Sequence, residues 1–101
     1  MPKLYEYFGL VLFFYTNEHE PIHVHGEFQG AHARAEIFLK EGRISKIVFS
    51  NVSGKRPLAG SKMKDFRTVV RAKSDDIVRR WIEYFVFKKH NKPEVITRKL
   101  K

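Results

Sequence analysis

Hydrophobic residues in the first half of the chain follow the two-residue period of β-strands. Residues 10–15 are apolar on both faces, which is typical of a central strand, and residues 22–28 alternate between apolar and polar. Gln29–Gly30 and Glu41–Gly42 are signals for tight turns between strands. The pattern therefore predicts an antiparallel meander with strands at residues 4–7, 10–15, 22–28, 31–39 and 44–49.

The turn at Gln29–Gly30 also predicts a register. With these two residues as the loop, Phe28 pairs with Ala31, and the two flanking strands pair in order from there. Alternate side chains then project to opposite faces of the sheet. One face is apolar and suited to a packed helix, and the other is predicted to be a surface of His23, His25, Glu27, His32, Arg34 and Glu36.

In the second half of the chain the hydrophobic period changes to that of a helix. Residues 51–60 are predicted to be a loop, and Ser61 to cap a helix over residues 62–72. A second helix is predicted to begin at Ser74. Its wide apolar face consists of Ile77, Val78, Trp81, Ile82, Phe85 and Val86.

Strands followed by helices predict an α+β domain, with a small antiparallel sheet of three to five strands and two helices packed on one face. We expect the 101 residues to form one domain. Residues 1–50 form its β half, residues 61–92 its basic helical half and residues 93–101 a basic tail. Val95–Ile96 in that tail is a candidate short strand.

Charge is segregated between the two halves. Residues 1–50 carry five basic and six acidic side chains, whereas residues 51–101 carry fifteen and five, for a net charge of +9. A strongly positive half indicates RNA, DNA or an acidic protein as a partner. The cations predicted to contact nucleic acid are Lys62, Lys64, Arg67, Arg71, Lys88 and Lys89.

Three histidines lie close together in the sequence and suggest a metal site. His19, His23 and His25 fall within seven residues, and imidazole is the commonest protein ligand for metals. Together they are candidates to hold a divalent transition metal, with Glu27 or Glu36 as a further ligand.

Metal-free cleavage of RNA is an alternative for the same cluster. Such cleavage needs a base, an acid and a cation that stabilises the charged transition state. His23 oriented by Glu36, and His25 beside Arg34, are the candidates for these roles. A third alternative is a binding module without catalysis.

Other classes of protein receive little support. No apolar run approaches the ~20 residues of a membrane helix, and the N-terminus lacks the pattern of a signal peptide. The chain has no cysteine, which excludes disulfides and thiolate metal sites and fits a cytoplasmic protein. It has no glycine-rich phosphate-binding motif.

Part of the first half resembles a small bacterial family, domain of unknown function 4160. The resemblance covers residues 1–50 and rests on a turn of the form His-x-Pro-Pro-His-x-His, in which Ile22 replaces the second proline. The residues that carry it are Met1–Pro2, Phe8–Gly9, Phe14–Tyr15, Asn17, His19, Pro21, His23 and His25.

The resemblance implies no established activity. It implies a cytoplasmic bacterial protein encoded beside another small protein, in an arrangement similar to toxin–antitoxin pairs. We therefore expect a toxin–antitoxin-type module that binds nucleic acid or an acidic protein partner through its basic helical half.

Overall fold

A computed structural model describes residues 3–14, 22–88 and 92–100 of the chain. Over these residues the chain forms a mixed sheet of seven strands with two α-helices. The helices are α1 (Gly60–Ala72) and α2 (Ser74–Trp81), and a π-helical segment, Ile82–Val86, continues α2. The strands are β1 (Lys3–Tyr7), β2 (Leu10–Phe13), β3 (Ile22–Phe28), β4 (Ala31–Lys40), β5 (Arg43–Ser50), β6 (Arg56–Pro57) and β7 (Glu94–Ile96).

Six strands lie in the order β5-β4-β3-β2-β1-β7, and the seventh, β6, also pairs with β4. The α+β class is confirmed, and so is the short strand predicted at Val95–Ile96. The prediction of a purely antiparallel sheet of three to five strands is wrong, because β7 pairs parallel to β1 and β6 pairs parallel to β4. Strand β6 has only two residues and is too short to show a period, so the sequence predicts it as part of a loop.

The predicted register between β3 and β4 is confirmed. His23 pairs with Glu36, His25 with Arg34, and Glu27 with His32. The turn between the strands has positive φ at Gln29 and Gly30, the conformation that twists a two-residue hairpin correctly. The register therefore places the six predicted polar side chains on one face of the sheet.

Both helices pack on the opposite, apolar face. Gly26 on β3 lies directly beneath Phe66 of α1, so close that an added Cβ would be 2.5 Å from the ring. The helical side chains Phe66, Val69, Val70, Ile77 and Trp81 share one core with the apolar side chains of the sheet.

Two details of the helices differ from the prediction. The helix α1 begins at Gly60 after Ala59, and no side chain caps it, so the predicted cap at Ser61 is wrong. Val86 is 56% exposed, although the helical period placed it on the apolar face. The π-helical winding of Ile82–Val86 explains the second difference, because it rotates each following residue away from the α-helical position.

A polar network fixes α2 against the β1–β7 edge of the sheet. The buried Tyr5 hydroxyl donates a hydrogen bond to Asp76, which also accepts from Arg79 and, at 2.8 Å, from Arg80. On β7, Glu94 lies 3.8 Å from both Lys73 and Arg80. Burial and the hydrogen bond to Asp76 raise the pKa of Tyr5, which keeps its hydroxyl a donor.

No helix in the described ranges is long and apolar enough to span a membrane.

Candidate functional site

The sheet face that points away from the helices carries the first candidate site. We call its six paired side chains the histidine face: His23, His25, Glu27, His32, Arg34 and Glu36. The strand β2 contributes Phe13 beside His25, and β5 contributes Val48 beside Glu36 and Ser50 beside Arg34.

His23 and Glu36 form the best-defined pair on this face. His23 Nε2 lies 3.2 Å from Glu36 Oε2, and Arg34 Nη2 lies 4.0 Å from the other carboxylate oxygen, Oε1. Both His23 and Glu36 are half-buried. A carboxylate at this distance fixes the orientation of the imidazole. The structure thus brings together the candidate catalytic residues His23, Arg34 and Glu36.

The burial of His25 and His32 corrects the prediction of a histidine surface. His25 is 3% exposed and His32 is 9% exposed. The ring of Phe13 stacks against His25 with the centroids 5.7 Å apart and the planes 20° from parallel. Phe13 was missed as a member of the site, although a signal was present. A strand that is apolar on both faces must place some apolar side chains on the polar face of its neighbours.

The buried position of His25 changes the candidate chemistry. The centroids of the His23 and His25 rings are 6.4 Å apart, so the two imidazoles lie on one patch as predicted. The side chain of His23 is 18% exposed, whereas His25 is 3% exposed. Of the two imidazoles, His23 is therefore the more accessible to solvent.

The metal prediction is untested at its third ligand, because His19 lies outside the described residues. Within the described part of the chain, no group of three or more histidine, aspartate or glutamate side chains is arranged to hold a metal ion. A divalent metal held by His19, His23 and His25 stays a prediction.

The second candidate site is a row of cations on α1. Lys64, Arg67 and Arg71 are exposed and lie at helical spacings of three and four residues. The Cζ atoms of Arg67 and Arg71 lie 5.8 Å and 5.2 Å from the centre of the Phe49 ring on β5. No carboxylate of the described residues is within ion-pairing distance of these three side chains. We call Lys64, Arg67 and Arg71 the α1 cation row.

The other cations predicted to contact nucleic acid do not belong to this row. Lys62 already donates to the backbone oxygen of Phe8 at 2.8 Å and lies 3.8 Å from Asp65. Lys88 is exposed but follows the π-helical segment. Lys89 lies outside the described residues. The α1 cation row is thus the part of the predicted set that the structure brings together.

Fold and surfaces together define an α+β protein with two helices on one sheet face, polar side chains on the other and exposed cations along α1. The chain belongs to the family described as Domain of unknown function (DUF4160), whose model matches residues 9–82. This match confirms the resemblance seen in residues 1–50 and extends it through α2. Comparison with curated proteins and with solved structures found no match.

Proposed function

We propose that this protein is a cytoplasmic binding module of the toxin–antitoxin type, formed by one domain over residues 1–101. In this proposal the α1 cation row binds a polyanionic macromolecule. The observation that carries the proposal is that Lys64, Arg67 and Arg71 are exposed and have no carboxylate partner among the described residues.

Like charges at these helical spacings repel one another and destabilise the helix that carries them. On the neighbouring helix, by contrast, the two arginines are paired with acids. Arg79 lies 3.0 Å from Glu83 and also contacts Asp76, while Arg80 contacts Asp76 and Glu94. A bound polyanion would relieve the repulsion on α1 in the same way.

Two classes of partner fit this description. A nucleic acid offers phosphates, and an acidic protein, such as a small protein encoded nearby, offers carboxylates. Either partner would release counterions when it binds, so its affinity would fall as salt is added.

Binding across a salt series tests the proposal. The probes are a single-stranded RNA oligonucleotide and poly-L-glutamate, with fluorescence anisotropy as the readout. Three contacts to a single strand predict a slope of about −2 in a plot of log affinity against log salt. Affinity that does not change with salt, or the absence of binding to both probes, would contradict the proposal.

A second candidate function is cleavage of RNA without a metal, favoured by the 3.2 Å contact between His23 and Glu36. In this scheme His23 takes the proton of a ribose 2′-hydroxyl, and Arg34 stabilises charge on the phosphate. The 2′-oxygen attacks phosphorus, the bond from phosphorus to the 5′-oxygen breaks, and the leaving 5′-oxygen takes a proton from water. The products would carry 2′,3′-cyclic phosphate and 5′-hydroxyl ends.

Incubation of single-stranded RNA with the protein in a metal chelator tests this scheme. His23→Gln and Glu36→Gln should each lower cleavage by ~100-fold. Glu41→Gln, at an exposed turn, is the matched control and should cleave as the wild type does. Wild-type protein that leaves the RNA intact would exclude this candidate.

A further inference from the structure

The strand β5 forms one edge of the sheet and is long for an edge strand. It has eight residues, whereas β7 at the opposite edge has three. On its inner side β5 pairs with β4, and no strand within the described ranges pairs with its outer side. An edge of this kind presents a row of backbone N–H and C=O groups that can pair with another strand.

Two features that block an edge, proline and irregular pairing, are absent from the second half of β5, although Lys46 contributes a charge there. Residues 46–50 contain no proline and no glycine, and they pair with β4 in regular register, because the single register shift lies earlier, between Phe38 and Leu39 on β4. Ile47 and Phe49 point towards the helices, and Val48 on the other face is 38% exposed. The edge is therefore regular and partly apolar.

Cations lie on both sides of this edge. Arg67 and Arg71 lie over the Phe49 ring on the helix side. On the opposite face, Lys46 Nζ lies 4.9 Å from the centre of the Phe38 ring, and Arg43 is exposed at the start of the strand. A second copy of the chain would bring the same positive charges together, whereas a negatively charged strand would complement them.

We propose that β5 accepts an extended acidic segment of a partner protein as an added strand. The period of two would place its aspartate or glutamate side chains beside Phe49, beneath Arg67 and Arg71, and its apolar side chains beside Val48. This inference rests on the proposed function, since the α1 cation row supplies the attraction. It names an acidic polypeptide as the partner, because a nucleic acid lacks the backbone amides that would pair with β5.

Two synthetic peptides of equal charge test the inference. The first is an eight-residue peptide that alternates glutamate and valine, and the second has proline in place of one central valine. Proline removes a hydrogen-bond donor and disfavours the regular ladder. We expect the proline peptide to bind roughly tenfold more weakly. We also expect amide hydrogen exchange to slow at alternate residues of β5 when the first peptide is bound.

The outcomes separate the inference from the proposed function. Equal affinities of the two peptides, with unchanged exchange in β5, would overturn strand addition and leave salt-dependent polyanion binding intact. Binding of single-stranded RNA but of neither peptide would identify nucleic acid as the partner and overturn the inference.

Three further outcomes also count against the inference. If neither the peptides nor the RNA bind, the proposed function itself fails. If hydrogen exchange of the β5 amides slows as protein concentration rises in the absence of peptide, a second copy of the chain occupies the edge, and the inference of an acidic partner fails. An Arg67→Gln, Arg71→Gln variant that binds the first peptide as tightly as the wild type would remove the proposed electrostatic contribution.

Discussion

The two edges of the sheet differ in how their charges are balanced. At the β7 edge, Glu94 is near Lys73 and Arg80, and Asp76 accepts hydrogen bonds from Tyr5, Arg79 and Arg80. At the β5 edge, Arg67 and Arg71 rest on an aromatic ring without a carboxylate partner in the described part of the chain. Positive charge is therefore neutralised by ion pairs at the β7 edge, whereas Arg67 and Arg71 at the β5 edge have no ion pair among the described residues.

The largest loss of stability should come from a substitution that disturbs the packing between the sheet and α1. In Gly26→Ala, the new methyl group would lie 2.5 Å from the Phe66 ring and force it to move. We expect unfolding free energy to fall by about 3 kcal/mol in denaturant titrations. The control is Gly54→Ala, which has positive φ but no atom near its new methyl group, and which should cost only about 1 kcal/mol. Equal losses in the two variants would contradict the close approach of Phe66.

Asp76→Asn should break the charge balance at the β7 edge. The substitution keeps the shape of the side chain but removes the negative charge of the carboxylate, which accepts hydrogen bonds from Tyr5 and Arg80. We expect a loss of about 2 kcal/mol in thermal or chemical unfolding. The neighbouring Asp75 is exposed, so Asp75→Asn should cost less than about 1 kcal/mol. Equal stability of Asp76→Asn and Asp75→Asn would contradict the role of Asp76 in balancing charge at the β7 edge.

Acid should weaken the same edge selectively. Burial alone would raise the pKa of Asp76, but hydrogen bonds from Tyr5, Arg80 and Arg79 outweigh it and lower the pKa to about 2. Because the folded-state pKa lies below the unfolded one, this stabilisation is present above pH ~4 and is lost as pH falls towards 2. Unfolding measured from neutral pH downwards should show a steeper decline for wild type than for Asp76→Asn. Parallel profiles would exclude this role of Asp76.

The smallest change in stability should come from the β5 edge. Arg67 is exposed and makes a cation–π contact with Phe49, so Arg67→Gln should cost less than about 1 kcal/mol. Arg80, which is largely buried and contacts both Asp76 and Glu94, is the opposite case, and Arg80→Gln should cost more. Thermal unfolding of the two variants would check this order, and a reversed order would contradict the division between the edges.

The sequence predicts the β3–β4 hairpin well because its information is local. Alternating residues and the Gln29–Gly30 turn together specify which side chains share a face, and the register follows. The cations of α1 are predicted for the same reason, since helical spacing alone places Lys64, Arg67 and Arg71 in a row.

Features that depend on distant residues were predicted less well. The burial of His25 depends on Phe13 of another strand, and the parallel pairing of β7 depends on β1 at the other end of the chain. Whether a cation is paired also depends on the fold. The sequence predicts that Lys62 contacts nucleic acid, yet its ammonium group contacts Asp65 and the backbone oxygen of Phe8.

The most direct test of the account compares two arginines that carry the same charge in different surroundings. Arg67→Gln and Arg79→Gln each remove one positive charge from an exposed helical position, but only Arg79 is already paired with acids. The measurement is the affinity of each variant for poly-L-glutamate and for single-stranded RNA at low salt. We predict that Arg67→Gln weakens binding by about threefold to tenfold and that Arg79→Gln leaves it nearly unchanged. Equal losses in the two variants would show that net charge alone governs binding and would contradict a dedicated surface on α1.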